Sequence, residues 1–203
     1  MIANIFNNKD LPKKFFDDYN FFNNRKSTDK CLIIGSAPSI SKIIAKDYVD
    51  NYDGYVIRIN RPALPDYIGN YGTRCDTIFS FNGIEIQKDL EKLDYLKTFM
   101  RSGDISEIMK DIQITNPYMI WPTTGFVCIV LSMYLFNKIE LLGFGETNVQ
   151  QEDGHMNINI HNKKVNIVDH DFNVEHKMID NWILNVFKDK IYRLEENFDK
   201  IQN

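Results

Sequence analysis

The stretch Pro122-Thr-Thr-Gly-Phe-Val-Cys-Ile-Val-Leu-Ser-Met-Tyr-Leu-Phe-Asn-Lys-Ile-Glu-Leu-Leu-Gly-Phe-Gly145 decides the fold of this chain. Its start reads as a turn, and the apolar run from Gly125 to Phe136 predicts a buried helix. The segment Ile139–Leu142 then predicts a buried strand, which ends at the glycines of Gly143-Phe-Gly145. A turn, a buried helix and a buried strand in this order indicate an α/β core.

Other strands and helices alternate along the rest of the chain. A buried strand is predicted over Cys31–Ile34, a second strand with alternating apolar and polar residues over Tyr55–Ile59, and a third strand over Asp76–Ser80. Helices are predicted over Ile40–Val49, 85–112 and Asp171–Glu196, with a short strand within Ile112–Trp121 and a small hairpin between Ile158 and Ile167. The pattern predicts a mostly parallel, Rossmann-like sheet with helices on both faces.

The length of 203 residues predicts a single domain. We divide it into an N-terminal helical segment over 1–30, a motif-bearing core over 31–175 and a C-terminal helix over 176–203. The N-terminal segment carries aromatic residues on one helical face, which favours packing on the sheet.

Composition excludes several classes of protein. The net charge of −4 argues against nucleic-acid binding, which needs a clustered basic face. Three scattered cysteines without a CxxC pair disfavour structural zinc and favour a reducing compartment. The sequence has neither a signal-peptide pattern nor a transmembrane stretch, so we expect a cytoplasmic protein, with peripheral membrane contact as an open alternative.

Polar and glycine residues gather at the predicted strand ends, where ligands bind in such sheets. Gly35 and Ser36 follow the first strand, Asn60 follows the second, and Gly143 follows the strand after the buried helix. Gly35 would let the backbone come close to a ligand, and Ser36 and Asn60 offer hydrogen-bonding groups. Neither a Walker loop nor a GxGxxG turn is present.

The turn before the buried helix is a candidate anion site. Thr124 and Gly125 would open that helix and present free N–H groups, which could hold one phosphate without a metal.

All four histidines lie between His155 and His176. His170 could act as a general base, and His155 could neutralise a leaving phosphate. Glu175 follows His170 by five residues, near the same end of the last helix. Asp169-His-Asp171 has the form of a metal–diphosphate signature, which keeps a metal-dependent enzyme open, although the histidine spacings match no closed zinc pattern.

Taken in order, these segments resemble the sialylmotifs of the animal-type sialyltransferases, glycosyltransferase family 29. The large motif is matched by Cys31–Gly35, Val56-Ile-Arg-Ile-Asn60 and Tyr71-Gly-Thr-Arg74, and the small motif by 122–145. Gly154-His155 hints at the third motif, and His170 with Glu175 meets the very small motif, His-x4-Glu. The turn Gly35-Ser-Ala-Pro-Ser39 is more similar to bacterial family 42 sialyltransferases.

The resemblance implies a variant GT-A fold and a metal-independent, inverting transfer from a CMP-activated donor, CMP-sialic acid or CMP-Kdo, to a glycan acceptor that could be lipid-linked. It implies no separate cofactor. His170 would be the base and His155 would stabilise the leaving phosphate, with Glu175 counted among the catalytic residues. The residues implied to hold CMP or shape its pocket are Gly35, Ser36, Asn60, Thr124, Gly125, Gly143, Phe144 and Gly145.

The resemblance also has departures. The sequence has Ser36 where the bacterial turn has asparagine, and Phe136 stands where the animal enzymes carry the cysteine that would pair with Cys31. Two alternatives therefore stay open: a CMP-binding module that has lost transfer, and a metal-dependent NDP-sugar transferase or hydrolase.

Overall fold

A computed structural model of the chain describes residues 29–35, 37, 40, 43–60, 68–81, 97–100, 123–144 and 172–194. Its strands are β1 (Lys30–Ile34), β2 (Tyr55–Ile59), β3 (Thr77–Phe81), β4 (Lys97–Met100), β5 (Lys138–Leu142) and β6 (Ile191–Arg193). Its helices are α1 (Lys46–Asp50), α2 (Ile68–Tyr71), α3 (Thr124–Leu135) and α4 (Phe172–Asn181), and a π-helical turn follows α4 over Trp182–Val186.

The strands form one six-stranded sheet in the order β4-β3-β2-β1-β5-β6. Every neighbouring pair is parallel. From β1 the chain moves outward through β2, β3 and β4, and it later returns to the other side of β1 with β5 and β6. This reversal makes the carboxyl ends of β1 and β5 the switch point, where open parallel sheets bind their ligands.

Alternating burial along the strands divides the core into two layers. On one face, Cys31, Ile33, Tyr55 and Ile57 pack with α3 and with Trp182 of the π-helical turn. On the other face, Leu32, Ile34 and Val56 pack with residues of α1 and α2, Val49 and Tyr71 among them. The predicted α/β class with helices on both faces is confirmed.

Helix α3 lies almost entirely inside the protein, as its sequence predicts. Every residue from Gly125 to Met133 is buried, and Phe126 packs on Trp182 with ring centroids 5.2 Å apart. The helix is apolar all round because it is covered by the sheet on one side and by the segment after α4 on the other.

Two helix predictions are corrected. Residues 97–100 form strand β4, paired in parallel with β3, although the charged pattern of 85–112 predicts helix. The helix predicted over Asp171–Glu196 ends at Asn181, and the chain re-enters the sheet as β6, where Ile191 pairs with Ile139. Strands this short carry little periodicity of their own, so pairing to the existing sheet decides their structure.

Three smaller differences concern other predicted segments. Helix α1 begins at Lys46, later than the predicted start at Ile40. The predicted strand within 112–121, the hairpin at 158–167 and the N-terminal helical segment before residue 29 lie outside the described residues. In the described ranges no helix is long and apolar enough to cross a membrane.

Candidate ligand site at the switch point

The carboxyl ends of β1 and β5 approach each other closely. The Gly35 amide donates to the Leu142 carbonyl at 2.7 Å, and the Ala37 amide donates to the Gly143 carbonyl at 2.9 Å. A Cβ on Gly35 would lie 2.6 Å from the Gly143 oxygen. The protein itself therefore fills the space where a side chain of residue 35 would lie. The sequence analysis explained this glycine differently, by close approach of a ligand.

Gly143 turns the chain at the end of β5 with a φ of +76°, a left-handed conformation that favours glycine. A Cβ here would lie 2.9 Å from the Gly35 oxygen. Both glycines are thus needed for the two strand ends to sit side by side.

The Phe144 ring joins these strand ends to the start of α3. A Cβ on Gly35 would lie 2.9 Å from ring atom Cε2, and a Cβ on Gly125 would lie 3.0 Å from Cε1. Phe144 itself is only 9% exposed. Gly35, Gly125, Gly143 and Phe144 therefore form one packed unit at the switch point.

The first turn of α3 carries the free amides that are typical of a helix start. Thr123 caps the helix, because its hydroxyl oxygen accepts from the Phe126 amide at 3.1 Å. In the part of the chain that the structure describes, no acceptor is found for the amides of Thr124 and Gly125. Such amides at the start of a helix are suited to an anion.

Glu175, in the first turn of α4, is buried and holds the cap of α3. One carboxylate oxygen accepts from the Thr123 amide at 2.5 Å, and the other accepts from the Thr123 hydroxyl at 2.6 Å. This contact fixes the start of α4 against the start of α3. His170 comes just before α4 in sequence, outside the described residues.

Asn60 follows β2 with a φ of +62°, which is unusual for a residue with a side chain. Its amide nitrogen in the main chain donates to the Phe79 carbonyl at 2.8 Å. The hydroxyl of the buried Ser80 donates to the Asn60 side-chain oxygen at 3.2 Å. A strained residue held from two sides at a strand end is a functional-site candidate.

Arg58 connects strand β2 to the loop Tyr71–Arg74. Its buried guanidinium donates to the carbonyls of Tyr71, Gly72 and Arg74 at 2.9–3.0 Å. Asp50 supports the same loop by accepting from the amides of Thr73 and Arg74. The hydrogen bonds of Arg58 therefore hold the loop Tyr71–Arg74 against strand β2.

A second buried polar group, Glu140 of β5, lies on the sheet face opposite α3. It accepts hydrogen bonds from the hydroxyls of Tyr48 and Tyr192. Burial, together with the hydrogen bond to this carboxylate, raises the pKa of both tyrosines. In the sequence, Glu140 is a single charged residue within an apolar strand. No sequence pattern predicts its hydrogen bonds with Tyr48 and Tyr192.

The cysteines are not suited to nucleophilic chemistry. Burial raises the pKa of Cys31 and Cys128 well above the ordinary value, and it raises that of Cys75 to about 12. All three are free thiols. Among the described residues, no group of three or more His, Cys, Asp or Glu side chains could hold a metal ion.

Most of the predicted binding residues lie at the same edge of the sheet. Gly35, Gly125, Gly143 and Phe144 are in contact, Thr124 begins α3 beside them, and Asn60 ends the strand next to β1. Ser36, Gly145, His155 and His170 lie outside the described residues, so their places stay predictions. The sequence analysis missed Ser80 and Thr123. Ser80 ends the predicted third strand, so the argument that polar residues at strand ends mark the ligand site could have found it.

Two solved structures that are similar to this chain are described as mammalian sialyltransferases. One, in complex with Gal-beta-1-3GalNAc-ortho-nitrophenol, is 14% identical to this chain with a TM-score of 0.55. Another is 12% identical with the same TM-score, and in both cases the match covers 82% of this chain and 69% of the other. No protein-family model and no curated protein matches the sequence. At this identity the likeness concerns the fold.

Proposed function

We propose that this chain is a glycosyltransferase that moves sialic acid from a CMP-activated donor to a hydroxyl group of a glycan acceptor. The observation that carries the proposal is the packed unit of Gly35, Gly125, Gly143 and Phe144 at the switch point of a fold shared with mammalian sialyltransferases. This unit sets the start of α3 beside the carboxyl ends of β1 and β5, where the donor would bind.

The first turn of α3 supports binding of a monophosphate. The positive end of a twelve-residue helix favours anionic groups. The Glu175 carboxylate already accepts from the Thr123 amide at this end, so the phosphate would be held by the amides of Thr124 and Gly125. CMP carries a single phosphate, which such a turn can hold without a divalent cation. Metal independence is therefore part of the proposal, and no further cofactor is needed.

The chemistry would fall to the two histidines. His170 would take the proton from the acceptor hydroxyl as that oxygen attacks the anomeric carbon of the sugar. The bond from this carbon to the CMP phosphate oxygen breaks, with inversion at the carbon, and CMP leaves. His155 would donate a hydrogen bond to the departing phosphate.

The contacts of Glu175 support a positioning role, in place of the catalytic role implied by the sequence motif. Both of its carboxylate oxygens are engaged with Thr123, and the side chain is buried. A carboxylate held in this way fixes the start of α4 relative to the anion site. We therefore assign it no proton transfer.

A second donor sugar fits the same anion site. Kdo is an acid sugar that is also activated with CMP, and the same anion site would serve it. The acceptor is a sugar hydroxyl of a glycan, which could be lipid-linked, and the reaction would take place in the cytoplasm.

The test is a transfer assay with CMP-sialic acid and, in parallel, CMP-Kdo, with Gal-beta-1-3GalNAc and other terminal sugars as acceptors. We expect CMP release and a mass-shifted acceptor, unchanged by EDTA. His170→Ala should lower the rate by about 10²–10⁴-fold. His161→Ala is the matched control and should keep the rate.

Each other outcome contradicts a stated part of the proposal. Activity that EDTA abolishes and Mn²⁺ restores would replace it with a metal-dependent transferase. Binding of CMP without turnover of either donor would indicate a module that has lost transfer. Full activity of His170→Ala would refute the base.

A further inference from the structure

We infer that Ser80 is a positioning residue that sets the side-chain amide of Asn60 as a hydrogen-bond donor to the phosphate of the ligand. The inference rests on the proposed function. Its basis is the hydrogen bond from the Ser80 hydroxyl to the Asn60 side-chain oxygen at 3.2 Å. With its oxygen engaged, the amide offers its nitrogen.

The register of the sheet puts this pair at the ligand edge. Ile59 pairs with Phe79, so Asn60 and Ser80 follow at the same level, one step beyond the paired residues. On the other side, Ile34 pairs with Arg58, so Gly35 is level with Ile59 and Asn60 lies one step beyond it. The carboxyl edges of β1, β2 and β3 are thus continuous at Asn60.

Asn60 has a left-handed backbone conformation although it carries a side chain. A φ of +62° is most easily adopted by glycine and, among residues with a side chain, by asparagine and aspartate. Two hydrogen bonds hold Asn60 in place, one to the Phe79 carbonyl and one from Ser80. Among the described residues no acceptor is found for the side-chain nitrogen.

This arrangement determines which ligand atoms are accepted. The Asn60 nitrogen and the amides at the start of α3 are all donors, and a phosphate oxygen is an acceptor only. Ser80 does not touch the ligand in this account, because its side chain is fully buried. Its effect should therefore appear in phosphate recognition and should vanish when the Asn60 side chain is absent.

The experiment is a double-mutant cycle with Ser80→Ala and Asn60→Gly, measured by calorimetric titration with CMP and with cytidine. Glycine at position 60 keeps the left-handed backbone, so this variant should fold. We expect Ser80→Ala to weaken CMP about fivefold, in line with one hydrogen bond, and to leave cytidine within about twofold. In the Asn60→Gly background, Ser80→Ala should change neither affinity.

Two controls separate positioning from general damage. Ser132→Ala also removes a fully buried hydroxyl, within α3, and should leave CMP affinity unchanged. Asn60→Asp keeps the oxygen that Ser80 contacts but replaces the donor with a negative oxygen, so it should weaken CMP more than Asn60→Gly does.

The outcomes distinguish this inference from the proposed function. A Ser80→Ala effect that is equal for CMP and cytidine, or that persists without the Asn60 side chain, overturns the positioning role while CMP binding stands. A wild-type protein that binds no CMP overturns both. Should Ser80→Ala unfold, Ser80→Cys takes its place in the cycle with the same expectations.

Discussion

Replacing Gly35 by alanine tests the packing on which the site depends. The added Cβ would lie 2.6 Å from the Gly143 oxygen, whereas ordinary contacts begin near 3.4 Å. The obstacle is main chain, so the ends of β1 and β5 would have to separate by roughly 0.8 Å, stretching the hydrogen bonds at Gly35 and Ala37 beyond bonding range. The loss of two such bonds amounts to about 2 kcal/mol of unfolding free energy, within the usual cost of overpacking.

The assay is urea unfolding followed by circular dichroism, with CMP titration of the folded variant. Gly69→Ala is the matched control, because a Cβ there meets nothing within 4 Å. It lies in α2, so it should leave stability unchanged or raise it by up to about 1 kcal/mol. Equal stability of the two variants, with unchanged CMP affinity for Gly35→Ala, would refute the reasoning.

Three further predictions follow from the buried polar contacts. Glu175→Ala should lower the unfolding free energy by about 1–3 kcal/mol, since it leaves the two partly buried donors of Thr123 without their acceptor, and Glu175→Gln should cost less; urea unfolding measures both. Tyr48→Phe should lower it by about 1–3 kcal/mol through Glu140 but leave CMP affinity unchanged, and an effect on CMP would connect that network to the site. Partial burial would raise the pKa of Asp50, but the amides of Arg74 and Thr73 and the ammonium of Lys46 outweigh it and lower that pKa to about 2. Its contribution to stability is therefore complete above about pH 4 and lost as the pH falls toward 2, so Asp50→Asn should flatten this part of a stability–pH curve, and an unchanged slope would contradict the assignment.

Much of the fold could be predicted because its central strands are buried on both faces. Cys31–Ile34 is a continuous apolar run, and Tyr55–Ile59 and Ile139–Leu142 are each interrupted by a single charged residue, Arg58 and Glu140, which is typical of strands buried in a parallel sheet. Strands β4 and β6 could not be predicted in this way. They are short and lie at the two edges of the sheet, where pairing with β3 and β5 outweighs local pattern.

In the candidate site, too, local features could be predicted and contacts between distant segments could not. Glycines and caps at strand ends carry local signals, so Gly35, Gly125 and Gly143 could be grouped from sequence. The partners of side chains from distant segments carry none. Thr123 with Glu175 is separated by 52 residues, and Asn60 with Ser80 by 20, so only the fold brings each pair together.

A thermal-shift titration with CMP, CDP, UDP, GDP and NAD, each with and without EDTA, tests the central claim most directly. A ligand that binds only the folded state stabilises it by about 2.7 kcal/mol at a hundredfold excess over its Kd. We expect CMP to raise the melting temperature equally with and without EDTA. A rise only with a diphosphate and a metal, or no rise with any of the five, would contradict the claim that this site holds CMP.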